Sequence, residues 1–280
     1  MNILFTGSGK AGSWQIRGEQ LGSAVGAAIH PQASVQHIAR SDLVVVVKRC
    51  PDSVLMELRR QKKQWVLDVL DCYPQPQCGF WSKRQSIEWV KNEIARLDPS
   101  AVIWPNRQMY IDCGDDRPSC VLYHHFRPSI SSHTPKARLL TVAYEGSEKY
   151  LDGWKPILAD QCTQRGWSFV CNPSSISDAD VVVALRASQY AGYAQVNWKS
   201  NVKLANAQGS GVPFIGQPEK GYLETASGSE IFIETKEQLS DAFDEVSSFE
   251  VRQRMSQIQK QKRYSIAQAA IDLRSFLYGL

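Results

Sequence analysis

The sequence predicts an α/β protein of two Rossmann-like domains, each a parallel sheet covered by helices, facing each other across a cleft. Three observations predict it. Short β-branched runs, continuous enough to be buried on both faces, alternate with charged segments of helical length in both halves. A glycine-rich turn, Gly7-Ser8-Gly9-Lys10-Ala11-Gly12, follows the first run. Between the halves the composition shifts to proline, serine and histidine, residues of extended connections.

Residues 1–6 (MNILFT) read as the first strand, and Trp14, Leu21 and Val25 recur at helical spacing after the glycines. Residues 43–47 (LVVVV) and 65–70 (WVLDVL) read as buried parallel strands, 53–63 and 86–97 as helices, and 101–104 (AVIW) as a strand ending in a turn at Pro105 and Asn106. Residues 34–38 (SVQHI) stand where a second strand would lie. The joint falls at 128–136, giving a first domain over 1–130 and a second over 137–280. In the second, strands are expected at 139–144, 168–171, 181–185, 213–215 and 230–233, and helices at 150–165, from about Ser200, and onward to the C-terminus, where 267–277 can pack back on the first domain.

With 280 residues and 43% hydrophobic content the chain can bury two cores. A net charge of +4 suits phosphate-bearing small ligands and is far from a nucleic-acid-coating excess. The seven cysteines, Cys50, Cys72, Cys78, Cys113, Cys120, Cys162 and Cys171, are odd in number and form no CxxC pair, so no zinc or other metal site is expected. No membrane span or signal peptide is visible, and a soluble, cytoplasmic protein is the expectation.

Gly7 to Gly12 matches G-x-G-x-x-G between a strand and a helix, where backbone N–H groups can meet a pyrophosphate. The same glycines also serve a tight turn and close helix packing. A dinucleotide enzyme would close its second strand with an acid, yet 34–38 is followed by Ala39 and Arg40. Arg40 keeps an NADP-dependent oxidoreductase open as an alternative.

The tract Ser13-Trp14-Gln15-Ile16-Arg17-Gly18-Glu19-Gln20-Leu21 resembles the start of GT-B glycosyltransferases, and residues 65–71 (WVLDVLD) resemble their strand with an aspartate pair. Residues 199–223 (KSNVKLANAQGSGVPFIGQPEKGYL) are similar to the donor-side helix, Gly-x-Pro turn and strand of group 4-like members. The resemblance implies a glycosyltransferase with a nucleotide sugar as co-substrate and no other cofactor. It implies donor contacts from Glu219, Tyr222 and Glu224, which fit a surface loop equally well, and the glycine loop adds Gly9, Gly12 and Ser13 as expected donor contacts. The group's two glutamates, eight positions apart, are replaced here by Trp198 and Asn206, which leaves donor and stereochemical outcome open.

A departing diphosphate needs cations where charge grows. Arg186 ends the strand VVVAL, and Lys199 and Lys203, at i and i+4 on the next helix, complete an expected donor clamp. A solvated helix face accounts for the two lysines equally well. Asp68 and Asp71 should point to opposite faces, with Asp71 nearer the carboxyl end as candidate base. His125, beside His124, offers an imidazole base or a structural histidine. Asp178-Ala179-Asp180 reads as a turn into a strand. The acceptor is open among glycan, lipid-linked sugar, small molecule and modified nucleic-acid base, and a non-catalytic nucleotide-sugar-binding protein is the remaining reading.

Overall fold

The computed structural model of the chain describes residues 1–9, 12–71, 73 and 77–280, with backbone alone for residues 77 and 78. Lys10 and Ala11 of the glycine motif, and Cys72, lie outside the described residues, as does the side chain of Cys78. Contacts divide the chain into two compact units, one of residues 1–124, 197–200 and 266–280, the other of 125–196 and 201–265.

Unit 1 is a six-stranded parallel sheet of β1 (Ile3–Gly7), β2 (Ala28–Ile29), β3 (Leu43–Val47), β4 (Trp65–Asp68), β5 (Ala101–Trp104) and β6 (Ser119–Val121), in the order β2-β1-β3-β4-β5-β6. A seven-residue π-helix (Trp14–Gln20) runs into α1 (Leu21–Ala24). It is followed by α2 (Val35–Arg40), α3 (Asp52–Arg60), α4 (Lys83–Leu97) and α5 (Arg107–Cys113). All five residues of β3 are buried, as its unbroken LVVVV run requires. Residues 34–38 are not a strand. The Ser34 Oγ accepts from the His37 N–H and the His37 Nδ1 accepts from the Ser34 N–H, a capping box that starts α2, and the second strand is the short Ala28–Ile29. Ser82 and Gln85 start α4 in the same way.

Unit 2 has β7 (Thr141–Tyr144), β8 (Ser168–Cys171), β9 (Val181–Ala184), β10 (Phe214–Gly216) and β11 (Ile231–Phe232), all parallel, in the order β11-β10-β9-β7-β8. Its helices are α6 (Trp154–Gln164), α7 (Tyr193–Asn197), α8 (Val202–Ser210), α9 (Lys220–Leu223), α10 (Lys236–Ser247) and α11 (Phe249–Lys262). Strand alternation sorts the core: Val142, Tyr144, Val181 and Val183 pack on one face, Ala143, Val182, Ala184 and Phe214 on the other. Each of these valines contributes roughly 1.5–3 kcal/mol by leaving water.

Two segments return to unit 1. The last helix, α12 (Ile266–Tyr278), lays Arg274 on the carbonyls of Ala24 and Val25 and satisfies the end of α1. Residues 197–200 are held because the Asn106 side chain donates to the carbonyls of Asn197 and Lys199, each at 3.0 Å, and the Trp198 indole N–H donates to Asp112 at 2.9 Å. The sequence reading numbers both segments with the second domain, while expecting 267–277 to pack back on the first. These long-range hydrogen bonds assign them by contact. Among the described residues no helix is long and apolar enough to cross a membrane.

Candidate functional site

Open parallel sheets bind ligands at the carboxyl ends of their strands, where the strand order reverses. In unit 1 that point lies between β1 and β3, and in unit 2 between β7 and β9.

In unit 1 the turn after β1 is shaped by Gly9, whose φ of +77° is left-handed and whose missing Cβ would stand 2.5 Å from the Pro31 Cβ. Gly9 therefore answers to the protein itself. A Cβ on Gly12 would meet nothing within 4 Å, and Ser13 is half-buried without a side-chain cap bond. The π-helix that follows is a rare element concentrated at functional sites. It turns Arg17 fully inward, where Nη2 donates to the Leu122 carbonyl and Nε lies 3.7 Å from Asp68. Burial pushes the Asp68 carboxyl up to about 6, with Arg17 opposing and Asp71 reinforcing.

Beyond β3 and β4 the chain passes through two left-handed non-glycine residues, Lys48 (φ +66°) and Leu70 (φ +40°), conformations that cost roughly 1–2 kcal/mol each. They bring Lys48 Nζ to 2.8 Å from one oxygen of Asp71, while Lys199 Nζ lies 3.1 Å from the other. Burial works to raise the pKa of Asp71, but the charges and hydrogen bonds of Lys199 and Lys48 outweigh it and hold the carboxyl below the usual range. So stabilised an anion is a poor general base, which weighs against the catalytic role expected of Asp71. Lys199 precedes α8, which starts at Val202, so it does not share a helix face with Lys203. Lys199 belongs to unit 1, and Arg186 and Lys203 to unit 2.

In unit 2, Lys203 rises from the first turn of α8 and sets its ammonium 4.0 Å over the ring of Tyr144, the last residue of β7. Gly146, at φ +133°, leaves the space this needs, since a Cβ there would stand 3.4 Å from Lys203 Nζ. Burial pushes the Tyr144 phenol up to about 12, so the ring faces the lysine uncharged at neutral pH. Across the switch point, Arg186 follows β9, donating its backbone N–H to Gln217 at 2.7 Å and its Nε to Glu219 at 3.0 Å. This ion pair is 9% and 5% exposed, and Arg186 also lies 5.4 Å from the centre of the Tyr150 ring. Beside it a cavity of about 480 Å³ is lined by Ala187, Ser188 and Gln189 and by the first residues of α6 and α10.

The remaining expected residues are placed differently. Tyr222 is a core residue, edge-on to Phe214, and Glu224 is half-buried at the end of α9. His125 is buried with Nδ1 at 2.8 Å from the Phe126 carbonyl, a backbone anchor. Asp180 holds the N–H groups of Leu140 and Thr141, the strand-entry role read from the sequence. At the two positions where the group 4 resemblance lacks its glutamates, Trp198 is fully buried, and Asn206 donates to Glu145 at 3.0 Å while accepting from the Arg127 N–H. Glu145, just beyond β7 and paired with Arg127, thus puts a carboxylate beside the amide. Sequence reading missed Arg17, Lys48 and Glu145. The only local signal was their position one turn past a glycine loop or just past a strand.

Among solved structures the chain resembles AviGT4, a glycosyltransferase involved in avilamycin A biosynthesis, with a TM-score of 0.58 at 12% identity over 100% of this chain and 99% of that one. The fold is of the GT-B type. UDP-GlcNAc 2-epimerase from Neisseria meningitidis, bound to UDP-GlcNAc, matches with a TM-score of 0.55 at 9% identity over the whole of both chains. The S. aureus MnaA–UDP co-structure matches at 0.57, with 9% identity over 99% of this chain and 96% of that one. No family model matches the chain, and no curated protein matches its sequence. At such identities the likeness is one of GT-B fold, and chemistry has to be argued from the residues.

Proposed function

We propose that the chain is a nucleotide-sugar-dependent glycosyltransferase whose unit 2 holds the donor, with the diphosphate at the β7/β9 switch point and the nucleoside in the adjoining cavity, while unit 1 takes the acceptor. The observation that supports this reading is the placement of the Lys203 ammonium, over Tyr144 and against Gly146, at the strand end beside the β7/β9 switch point. A cation there stabilises the charge that grows on the leaving diphosphate, which lowers the barrier without calling on a metal. Arg186, neutralised by Glu219, shapes the opposite lip. Two of the GT-B neighbours are named as complexes with UDP or UDP-GlcNAc, which supports a uridine nucleotide as the first donor to try.

The oxidoreductase alternative loses ground. The second strand runs into His30, Pro31 and Gln32 without an acid, and Arg40 is exposed at the end of α2. Thermal shift tests the reading directly, because a ligand of the native state raises its apparent stability. UDP and UDP-sugars should raise the melting temperature and NADP(H) should not; the reverse order would overturn the proposal. Turnover should release nucleoside diphosphate only with an acceptor present and persist in EDTA. Conversion of UDP-GlcNAc to an isomer without any acceptor would instead favour chemistry like that named for the epimerase neighbours.

A further inference from the structure

Unit 1 contains a cavity of about 290 Å³ to which the proposed function assigns nothing. Its apolar lining comes from Leu67 in β4 and from Leu97 and Trp89 on α4, with the Trp89 indole leaning on Trp81 at 6.2 Å between ring centres. Its polar lining comes from Lys48, Arg49, Cys50 and Glu93.

The charges do not cancel. Both oxygens of Glu93 are taken by Arg96, at 2.8 and 2.6 Å. Burial pushes the Cys50 thiol up to about 12, so it is neutral and unreactive at physiological pH. Lys48 shares Asp71 with Lys199, two cations on one carboxylate. Arg49 is exposed, and among the described residues no carboxylate pairs with its guanidinium. The acid at the start of α3, Asp52, is exposed and screened by water.

We propose that this cavity is a ligand site for a compact organic acid, its flat apolar body set against Leu67, Trp89 and Leu97 and its single carboxylate facing Arg49. The volume lies at the small end for ligand pockets and admits one aromatic or branched aliphatic group. An apolar body alone would gain from the lining but leave the cationic rim unused, and a polyanion would find too few cations. One carboxylate on a small ring satisfies both halves. The site does not depend on the donor reading.

Benzoate and its neutral isostere benzamide are the probes, followed by the tryptophan indole N–H signals in proton–nitrogen correlation spectra. Comparison with Trp89→Phe identifies the Trp89 signal. Benzoate should shift that signal and bind more tightly than benzamide by up to about fivefold, the range of one partly exposed ion pair. Arg49→Glu, a change at an exposed position, should erase the preference. Absence of benzoate binding, shifts confined to other indoles, equal affinity for the two probes, or a preference unchanged in Arg49→Glu would each overturn the assignment. A UDP titration of the same sample reports on unit 2 separately, so failure of the donor reading is distinguishable from failure here.

Discussion

In unit 1 two lysines, Lys48 just past β3 and Lys199 in the returning segment, share one carboxylate, whereas in unit 2 Arg186, just past β9, has a carboxylate of its own. The side chains of the first group are a fifth to a quarter exposed, and those of the second are nearly dry. In a half-wet trio water screens each charge and the loss of one lysine leaves another. In a dry pair, neutrality is a condition of burial. A cation at a strand end that is paired in a dry place carries weight in the fold whatever else it does, and Arg186 with Glu219 is such a pair.

The largest effect should separate these cases. Arg186→Ala leaves Glu219 buried without its partner and should cost about 3–5 kcal/mol of unfolding free energy, measured by urea denaturation. Arg186→Met combined with Glu219→Leu should recover most of it, because an apolar pair of similar volume replaces the ions. Lys48→Met in unit 1 should cost no more than about 1 kcal/mol. Equal losses at the two sites would break the comparison.

The glycine turn of unit 1 contains a contrast of the same kind. Gly9→Val must force a β-branched residue to φ +77° against Pro31, and a loss of about 1–3 kcal/mol is expected with or without ligand. Gly12→Ala has open space and should leave the melting temperature nearly unchanged. Any effect of Gly12→Ala on turnover then reports on a ligand, while Gly9→Val tests only the fold. A Gly9→Val protein as stable as the parent would show that Pro31 can move aside.

Much of this was legible because the patterns are local. The β-branched runs announced β1, β3, β4, β7 and β9, and a strand's end told where Arg186 would lie. The failures have specific causes. The two-residue β2 has no period to read, and SVQHI is placed as a strand by its distance from the glycine turn, while the Ser34–His37 capping box decides for helix. Burying Arg17 depends on Asp68 and Leu122, far along the chain, and its π-helix has no sequence pattern. Lys199 looked like the start of a helix face because nothing near it in sequence shows that Asn106 and Asp112 hold its neighbours.

In unit 2 the role of Lys203 is tested by Lys203→Met, which keeps the aliphatic stem while removing the charge above Tyr144. Under the proposed function, UDP binding should weaken by roughly tenfold, near 1.4 kcal/mol, and turnover should fall further than binding. Calorimetric titration with UDP and steady-state rates separate the two. Binding and turnover reduced by the same factor would make Lys203 a ground-state contact, and no change in either would remove it from the donor site.

The smallest effect, and the finest test of how unit 1 handles charge, is the dependence of stability on pH. Asp68 and Asp71 lie close together yet are shifted in opposite directions. Asp68 is raised by burial to about 6, so its folded form holds a proton that the unfolded chain, with an ordinary value near 4, has released. Its contribution is therefore full below about pH 4 and is lost as the pH rises through 6. Asp71 is depressed by its lysines, so its contribution is present above the ordinary aspartate range and is lost as the pH falls below it. Asp71→Asn should accordingly destabilise most near neutrality, and the gap to the parent should close as the solution is acidified below about pH 4. In Asp71→Asn the charge that helps to raise Asp68 is also gone, so the loss of stability through pH 6 should be shallower than in the parent. Denaturant midpoints from pH 3 to pH 8 give both curves. Parallel curves would mean that the two lysines do not depend on the Asp71 charge, and the contrast between a shared and a private carboxylate would fail at its first member.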